Sequence, residues 1–117
     1  MKSIQVISIP VTDQQRSKNF YLLLGFEIID EAPMEGDKNW IQMGLRGDTV
    51  TITLVTWFKE MPPGSMQGLV LGTDDIEHDL LILGNNKVKI SSIQETPHGK
   101  FVSLKDPDGN GISLRQR

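Results

Sequence analysis

The 117-residue sequence contains no cysteine, which excludes disulfides, thiolate catalysis and Cys-ligated zinc or iron–sulfur sites. No apolar run approaches the roughly 20 residues needed to span a bilayer, and the segment Met1–Gln5 lacks the apolar core of a signal peptide. The net charge is −3, with acids and bases interleaved, so there is no basic patch of the kind that binds nucleic acid. We therefore expect a cytoplasmic protein with neither nucleic-acid nor membrane partners.

The chain length suits one compact domain, and its apolar residues follow regular patterns. One helix is predicted to begin with Thr12 as N-cap, with Gln15 reaching back to it, and to end at Gly25. A second opens at residues 74–77, with Asp74 as the cap, and stops at Gly84. Eight short strands are predicted at residues 3–11, 26–29, 40–43, 49–57, 68–73, 87–90, 100–104 and 111–115.

The two halves of the chain repeat one another. Val6–Asp13 matches Gly68–Asp75 at a spacing of 62 residues, and later segments match at spacings of 59 to 61. Two copies are too few for a solenoid or propeller, so a domain of two paired modules fits better. We predict a first module at 1–58, a linker at 59–67 and a second module at 68–117, each ordered strand, helix and three strands.

A single helix covers only one face of a sheet, so each module leaves the other face to its partner or to a ligand. Strand alternation assigns to that face in the first module Val6, Ser8, Trp40, Gln42, Thr51, Thr53 and Val55. In the second module it assigns Gly68, Val70, Phe101, Ser103, Ser113 and Arg115. Such a mixture of hydroxyl, amide and aromatic groups is unusual for a pure core.

Four motifs in this order resemble the vicinal oxygen chelate superfamily, which includes glyoxalase I, extradiol dioxygenases and bleomycin-resistance proteins. They are Val11-Thr12-Asp13, Phe20-Tyr21 with Leu24-Gly25-Phe26-Glu27, Thr73-Asp74-Asp75-Ile76 and Asp106-Pro107-Asp108-Gly109-Asn110. The resemblance implies one α+β domain over 1–117, with two paired β-α-β-β-β modules forming a curved mixed sheet around a cup. It also implies a homodimer, although modules can pair within a chain or across two chains.

Metal-dependent relatives place His, Gln or Glu ligands at four positions of the cup. The resemblance carries those positions onto Val6, Thr53, Gly68 and Ser113, none of which is a usual ligand of a divalent metal. A one-residue slip would supply Gln5 but not the other three. We therefore predict no metal and no other cofactor.

Other candidates have simpler explanations. His98 in a loop is a candidate acid or base, but a surface histidine explains it as well. Trp40 and Trp57 fit a core, a dimer contact or a pocket for a flat ligand. Asp74 and His78 are explained by helix capping and a solvated side chain. The serines and threonines lack a neighbouring base, so none resembles an activated nucleophile.

Three functions compete. The favoured one is metal-free binding of a small, partly apolar molecule in a pocket formed by Val6, Ser8, Trp40, Gln42, Thr51, Thr53, Trp57, Gly68, Phe101, Ser103 and Ser113. The alternative is a metal-dependent lyase, isomerase or dioxygenase with relocated ligands, using His98 and a carboxylate from the loop at 33–37. The third is a dimerisation or regulatory domain whose cup is filled by its own side chains.

Overall fold

Each half of the chain builds its own four-stranded mixed sheet. The computed structural model describes residues 1–117. The first sheet contains β1 (Val6–Pro10), β2 (Glu27–Pro33), β3 (Asn39–Gly44) and β4 (Thr51–Val55), in the order β1-β4-β3-β2. Its helix is α1 (Gln14–Leu23), which follows β1. The pair β1–β4 is parallel and the other pairs are antiparallel.

The second half repeats this arrangement. Its strands are β5 (Leu69–Gly72), β6 (Gln94–Thr96), β7 (Gly99–Lys105) and β8 (Gly111–Gln116), in the order β5-β8-β7-β6, and its helix is α2 (Ile76–Asn85). Again the outer pair β5–β8 is parallel. The predicted fold of two β-α-β-β-β modules is confirmed. Neither helix is long and apolar enough to cross a membrane.

One apolar core is shared by both modules. It contains side chains from the first sheet, such as Ile9, Ile52 and Leu54, together with Val102 and Leu114 from the second. These residues alternate with the polar positions along each strand, as a half-buried strand requires. Both helices cover the apolar faces, and the opposite faces of the two sheets stay without a helix.

The helix caps differ from the prediction. Asp13, not Thr12, caps α1 by accepting a hydrogen bond from the Arg16 N–H at 3.1 Å. Asp75, not Asp74, caps α2 in the same way, with the His78 N–H at 3.1 Å. The Thr12 hydroxyl and N–H instead both donate to Asp108 of the second module. The Gln15 capping box is therefore also wrong.

The region after α2 was predicted least well. The helix continues through Gly84 to Asn85, because Gly84 does not adopt the positive φ of a C-terminal glycine; Lys87 adopts it instead. The predicted strand 87–90 is wrong: only Ile90 forms a bridge, to Leu104, and the sixth strand is instead Gln94–Thr96. Residues 86–93 thus form an irregular segment beside β7.

The segment Asp106–Asn110, here called the closing turn, fastens the two modules together. Asp106 Oδ1 accepts hydrogen bonds from the backbone N–H groups of Asp108 and Asn110, both at 2.9 Å, which fixes the turn. The Asn110 side-chain amide then donates to the carbonyl of Pro10 in β1 at 2.8 Å. Because Asn110 is 1% exposed, this is a buried polar bond between modules, of the kind that is costly to leave unmade.

Candidate functional site

The uncovered face of the first sheet, here called the first polar face, carries paired polar side chains. The hydroxyls of Ser8 and Thr53 lie 3.3 Å apart, since these residues are cross-strand partners. The Gln42 amide donates to Thr51 Oγ1 at 2.9 Å and accepts from the Trp40 indole N–H at 3.3 Å. The structure therefore brings five of the predicted pocket residues into contact on one surface.

Val6 lies on the same face and is partly exposed to solvent. It pairs with Thr51 across β1 and β4, and its side chain is 37% exposed. The first polar face is therefore accessible at Val6, whereas Thr53 and Val55 further along β4 are each 2% exposed.

The uncovered face of the second sheet, the second polar face, forms one wall of an open cavity of about 590 Å³. Ser103 and Ser113 are directly opposite each other on β7 and β8 and both line it, as does Gly68. The full lining is Gln67, Gly68, Lys89, Ile90, Ser91, Ser103, Leu104, Lys105, Asp106, Gly111, Ile112 and Ser113. Three of the predicted pocket residues thus share a cavity of a size that suits a small organic ligand.

The edge of this cavity beside β7 was missed by sequence reasoning. It comes from the irregular segment after α2, where Ser91 bonds to Ser103 twice: its N–H donates to the Ser103 carbonyl, and its hydroxyl accepts from the Ser103 N–H, both at 2.9 Å. These bonds hold Lys89 and Ile90 beside the second polar face. No local sequence pattern predicts that this segment lies beside β7. Lys105, in contrast, could have been assigned to the cavity because it alternates with Ser103 along β7.

Two predicted aromatic positions lie outside this cavity. Phe101 is on the second polar face, but the Arg115 guanidinium lies 5.8 Å from its ring centre and covers it. Trp57 comes after β4 has ended, and its ring is 6.3 Å from that of Phe58. The structure does not join Trp57 to the other pocket candidates.

His98 lies in the turn between β6 and β7, exposed to solvent. Its N–H donates to Thr96 Oγ1 at 3.0 Å and its carbonyl accepts from Arg115 Nε at 2.9 Å. It lines a separate hollow with Arg115 and Arg117, while Asp37 lines another hollow in the first module. One chain therefore does not bring His98 together with a carboxylate from the 33–37 loop.

The four positions that correspond to metal ligands do not fit a divalent ion. Val6 and Gly68 offer no donor atom, and Thr53 and Ser113 offer only neutral hydroxyls. Across the chain, no group of three or more His, Cys, Asp or Glu side chains is arranged to hold a metal ion. These four positions therefore do not form a metal site.

Asp106 is the only carboxylate among the residues that line the cavity, and it is fully engaged. Its Oδ2 accepts from the Tyr21 hydroxyl at 2.8 Å and from the Asn110 amide at 2.7 Å, while Oδ1 holds the closing turn. Burial, and then the negative charge of Asp106, raise the pKa of Tyr21 far above its usual range. Tyr21 is thus a permanent donor, and Asp106 is a structural group and not a base.

The two polar faces do not enclose a common space within one chain. The cavity of the second polar face is lined only by residues 67–113, so no residue of the first polar face contributes to it.

Comparison with known proteins agrees with this architecture. The model of the Glyoxalase/Bleomycin resistance protein/Dioxygenase superfamily matches residues 3–114. The chain is similar to TnmS3, an antibiotic binding protein from Streptomyces sp. CB03234, with 38% identity, a TM-score of 0.93 and coverage of 99% of this chain and 96% of that one.

Two further relatives extend the comparison. A glyoxalase/bleomycin resistance protein from Streptomyces sp. CB03234 is 38% identical, with a TM-score of 0.87 and coverage of 97% of this chain and 100% of that one. The uncharacterized protein YetH of Bacillus subtilis (strain 168) is 30% identical over 121 residues, covering 99% of both chains.

Proposed function

The chain belongs to the Glyoxalase/Bleomycin resistance protein/Dioxygenase superfamily, and on that premise we propose that it binds a small, partly apolar molecule on its polar faces without a bound metal. The observation that carries the proposal is the 590 Å³ cavity on the second polar face. Where metal-dependent relatives carry ligands, this cavity has the small residues Gly68 and Ser113. Small neutral side chains leave room for an organic ligand and offer hydroxyl groups to orient it.

The similarity to an antibiotic binding protein supports a binding function over a catalytic one. At 38% identity over nearly the whole chain, the two folds superimpose closely. His98, the candidate acid or base, has no carboxylate side chain beside it in its hollow. Sequestration needs only shape and hydrogen bonds, both of which the cavity supplies.

We further propose that the working form is a homodimer in which a second copy covers the open faces. Val6 and Val70 are 37% and 50% exposed on the two polar faces, and each lies on an outer strand of its sheet. An outer strand presents unpaired backbone groups on one side, which a second copy can pair. Such a dimer would enclose the ligand more completely than one chain does.

The neutral fluorescent probe N-phenyl-1-naphthylamine tests the binding function directly. Protein purified without chelator is first analysed for Zn, Ni, Mn and Fe, and then titrated with the probe before and after dialysis against EDTA. We expect much less than one metal ion per chain and saturable probe binding that EDTA does not change. One tightly bound metal per chain, or probe binding that requires added metal, would contradict the proposal.

A further inference from the structure

We infer that the cavity on the second polar face selects anionic ligands: molecules that carry a carboxylate, sulfonate or acidic phenol on an apolar aromatic frame. This inference rests on the proposed binding function and adds the ligand's charge. It follows from which charged and polar groups of the cavity already have hydrogen-bond or ion-pair partners in the chain and which have none.

Two lysines line the cavity and have no partner in the chain. Lys89 comes from the irregular segment and Lys105 from the end of β7, and the antiparallel bridge between Ile90 and Leu104 makes the two lysines cross-strand neighbours. The chain's four ion pairs all use other cations. Both ammonium groups are thus available to a ligand, and each offers three donors.

No free negative charge balances these lysines. Asp106 is the sole carboxylate lining the cavity, and its two oxygens accept four hydrogen bonds from Tyr21, Asn110 and the turn backbone. It is 5% exposed and its oxygens already have partners, so it offers no open acceptor to a ligand. A cationic ligand would therefore meet two ammonium groups and no open acceptor of opposite charge.

The remaining polar groups also favour an acceptor-rich ligand. The Ser103 and Ser113 side chains face the cavity, and the hydrogen bonds that Ser103 makes to Ser91 use its backbone. Their hydroxyls are left to donate to a ligand oxygen. Beside them, the half-buried Ile90 supplies apolar surface for the ligand's frame.

Two probes with one frame test the inference. 8-Anilinonaphthalene-1-sulfonate is N-phenyl-1-naphthylamine with a sulfonate added, so their affinities differ mainly through charge. We expect the sulfonate to bind about tenfold tighter at low salt, because two ammonium groups near an anion contribute roughly that factor at a partly exposed site. Added salt should weaken binding of the sulfonate and leave the neutral probe unchanged.

Substitution of the lysines locates the effect. The double variant K89Q/K105Q should lose the preference for the sulfonate while keeping its affinity for the neutral probe. Lys87→Gln is the control: it removes one positive charge from the same segment outside the cavity and should leave both affinities unchanged. Both lysines are exposed, so the variants should fold normally, which circular dichroism checks.

These experiments distinguish failure of the charge inference from failure of the proposed binding function. If the neutral probe binds and Ser113→Trp removes that binding, but K89Q/K105Q leaves the sulfonate affinity unchanged, the charge inference is overturned and the binding function stands. If neither probe binds, or if Ser113→Trp leaves both bound, the cavity is not the site and both proposals fall.

Discussion

The Tyr21 hydroxyl lies 2.8 Å from Asp106 Oδ2, so the helix of the first module is hydrogen-bonded to the closing turn of the second. Both side chains are buried, at 0% and 5% exposure. Because Asp106 also lines the cavity, the contact that joins the modules sets the position of one cavity wall. Module docking and the shape of the candidate site therefore depend on the same residue.

Replacing Tyr21 by Phe should reduce stability at neutral pH. The variant keeps the packed ring but removes one of two donors to Asp106 Oδ2, leaving only the Asn110 amide. We expect the free energy of unfolding to fall by about 1–3 kcal/mol, measured by urea denaturation at pH 7. An unchanged unfolding midpoint would show that the hydroxyl does not help to join the modules.

The same pair predicts how stability changes in alkali. The folded state raises the pKa of Tyr21, so its contribution is fully present below the unfolded pKa of about 10 and is lost as pH rises toward the folded value. Above pH 10 the stability of the wild type should therefore fall relative to Tyr21→Phe, by about 1.4 kcal/mol per pH unit. Unfolding curves of both proteins at several pH values measure this, and parallel curves would contradict it.

Asn110→Asp should be one of the most damaging conservative substitutions. It replaces a buried amide donor by a carboxylate that faces two acceptors, the Pro10 carbonyl and Asp106 Oδ2. We expect a loss of about 3–5 kcal/mol at pH 7, partly recovered in mild acid when the new carboxyl protonates. The exposed Asn19→Asp in α1 serves as the control and should change stability little.

Filling the cavity should separate binding from folding. Ser113→Trp places a large ring at the centre of the second polar face, where open space now lies. Binding of N-phenyl-1-naphthylamine should be lost, while the unfolding midpoint stays close to that of the wild type. Glu95→Trp is the control: it adds the same ring to an exposed position of β6 outside the cavity and should bind the probe normally.

The proposed homodimer predicts a mass in solution of twice 13.1 kDa by sedimentation equilibrium. A charge placed at the open face, as in Val70→Lys, should shift the mass toward that of one chain, because the exposed valine would otherwise be covered by the second copy. A wild-type mass of 13.1 kDa at all concentrations would contradict the dimer.

Local patterns were sufficient to predict the modules and the polar faces. Alternation along the strands assigns Ser8, Thr53, Ser103 and Ser113 to the faces without a helix. Side chains point alternately to the two faces of a strand, so burial of one face determines which residues lie on the other. The repeat then transferred the same assignment from one half to the other.

Features decided by distant contacts were not predictable in this way. Thr12 has a good capping sequence, but Asp108, 96 residues away, accepts from both its N–H and its hydroxyl, so Asp13 becomes the cap. Likewise Lys89 reaches the cavity only because Ser91 bonds to Ser103 on another element. In both cases a tertiary contact overrides a local preference.

Amide chemical-shift mapping of metal-free protein tests the central claim most directly. In a titration with N-phenyl-1-naphthylamine, we predict the largest shifts at residues that line the cavity, above all Gly68, Ser91, Ser103 and Ser113. Shifts confined to the apolar hollow between the helices, at Leu23, Leu24 and Ile82, would contradict the account, as would a spectrum that the probe leaves unchanged.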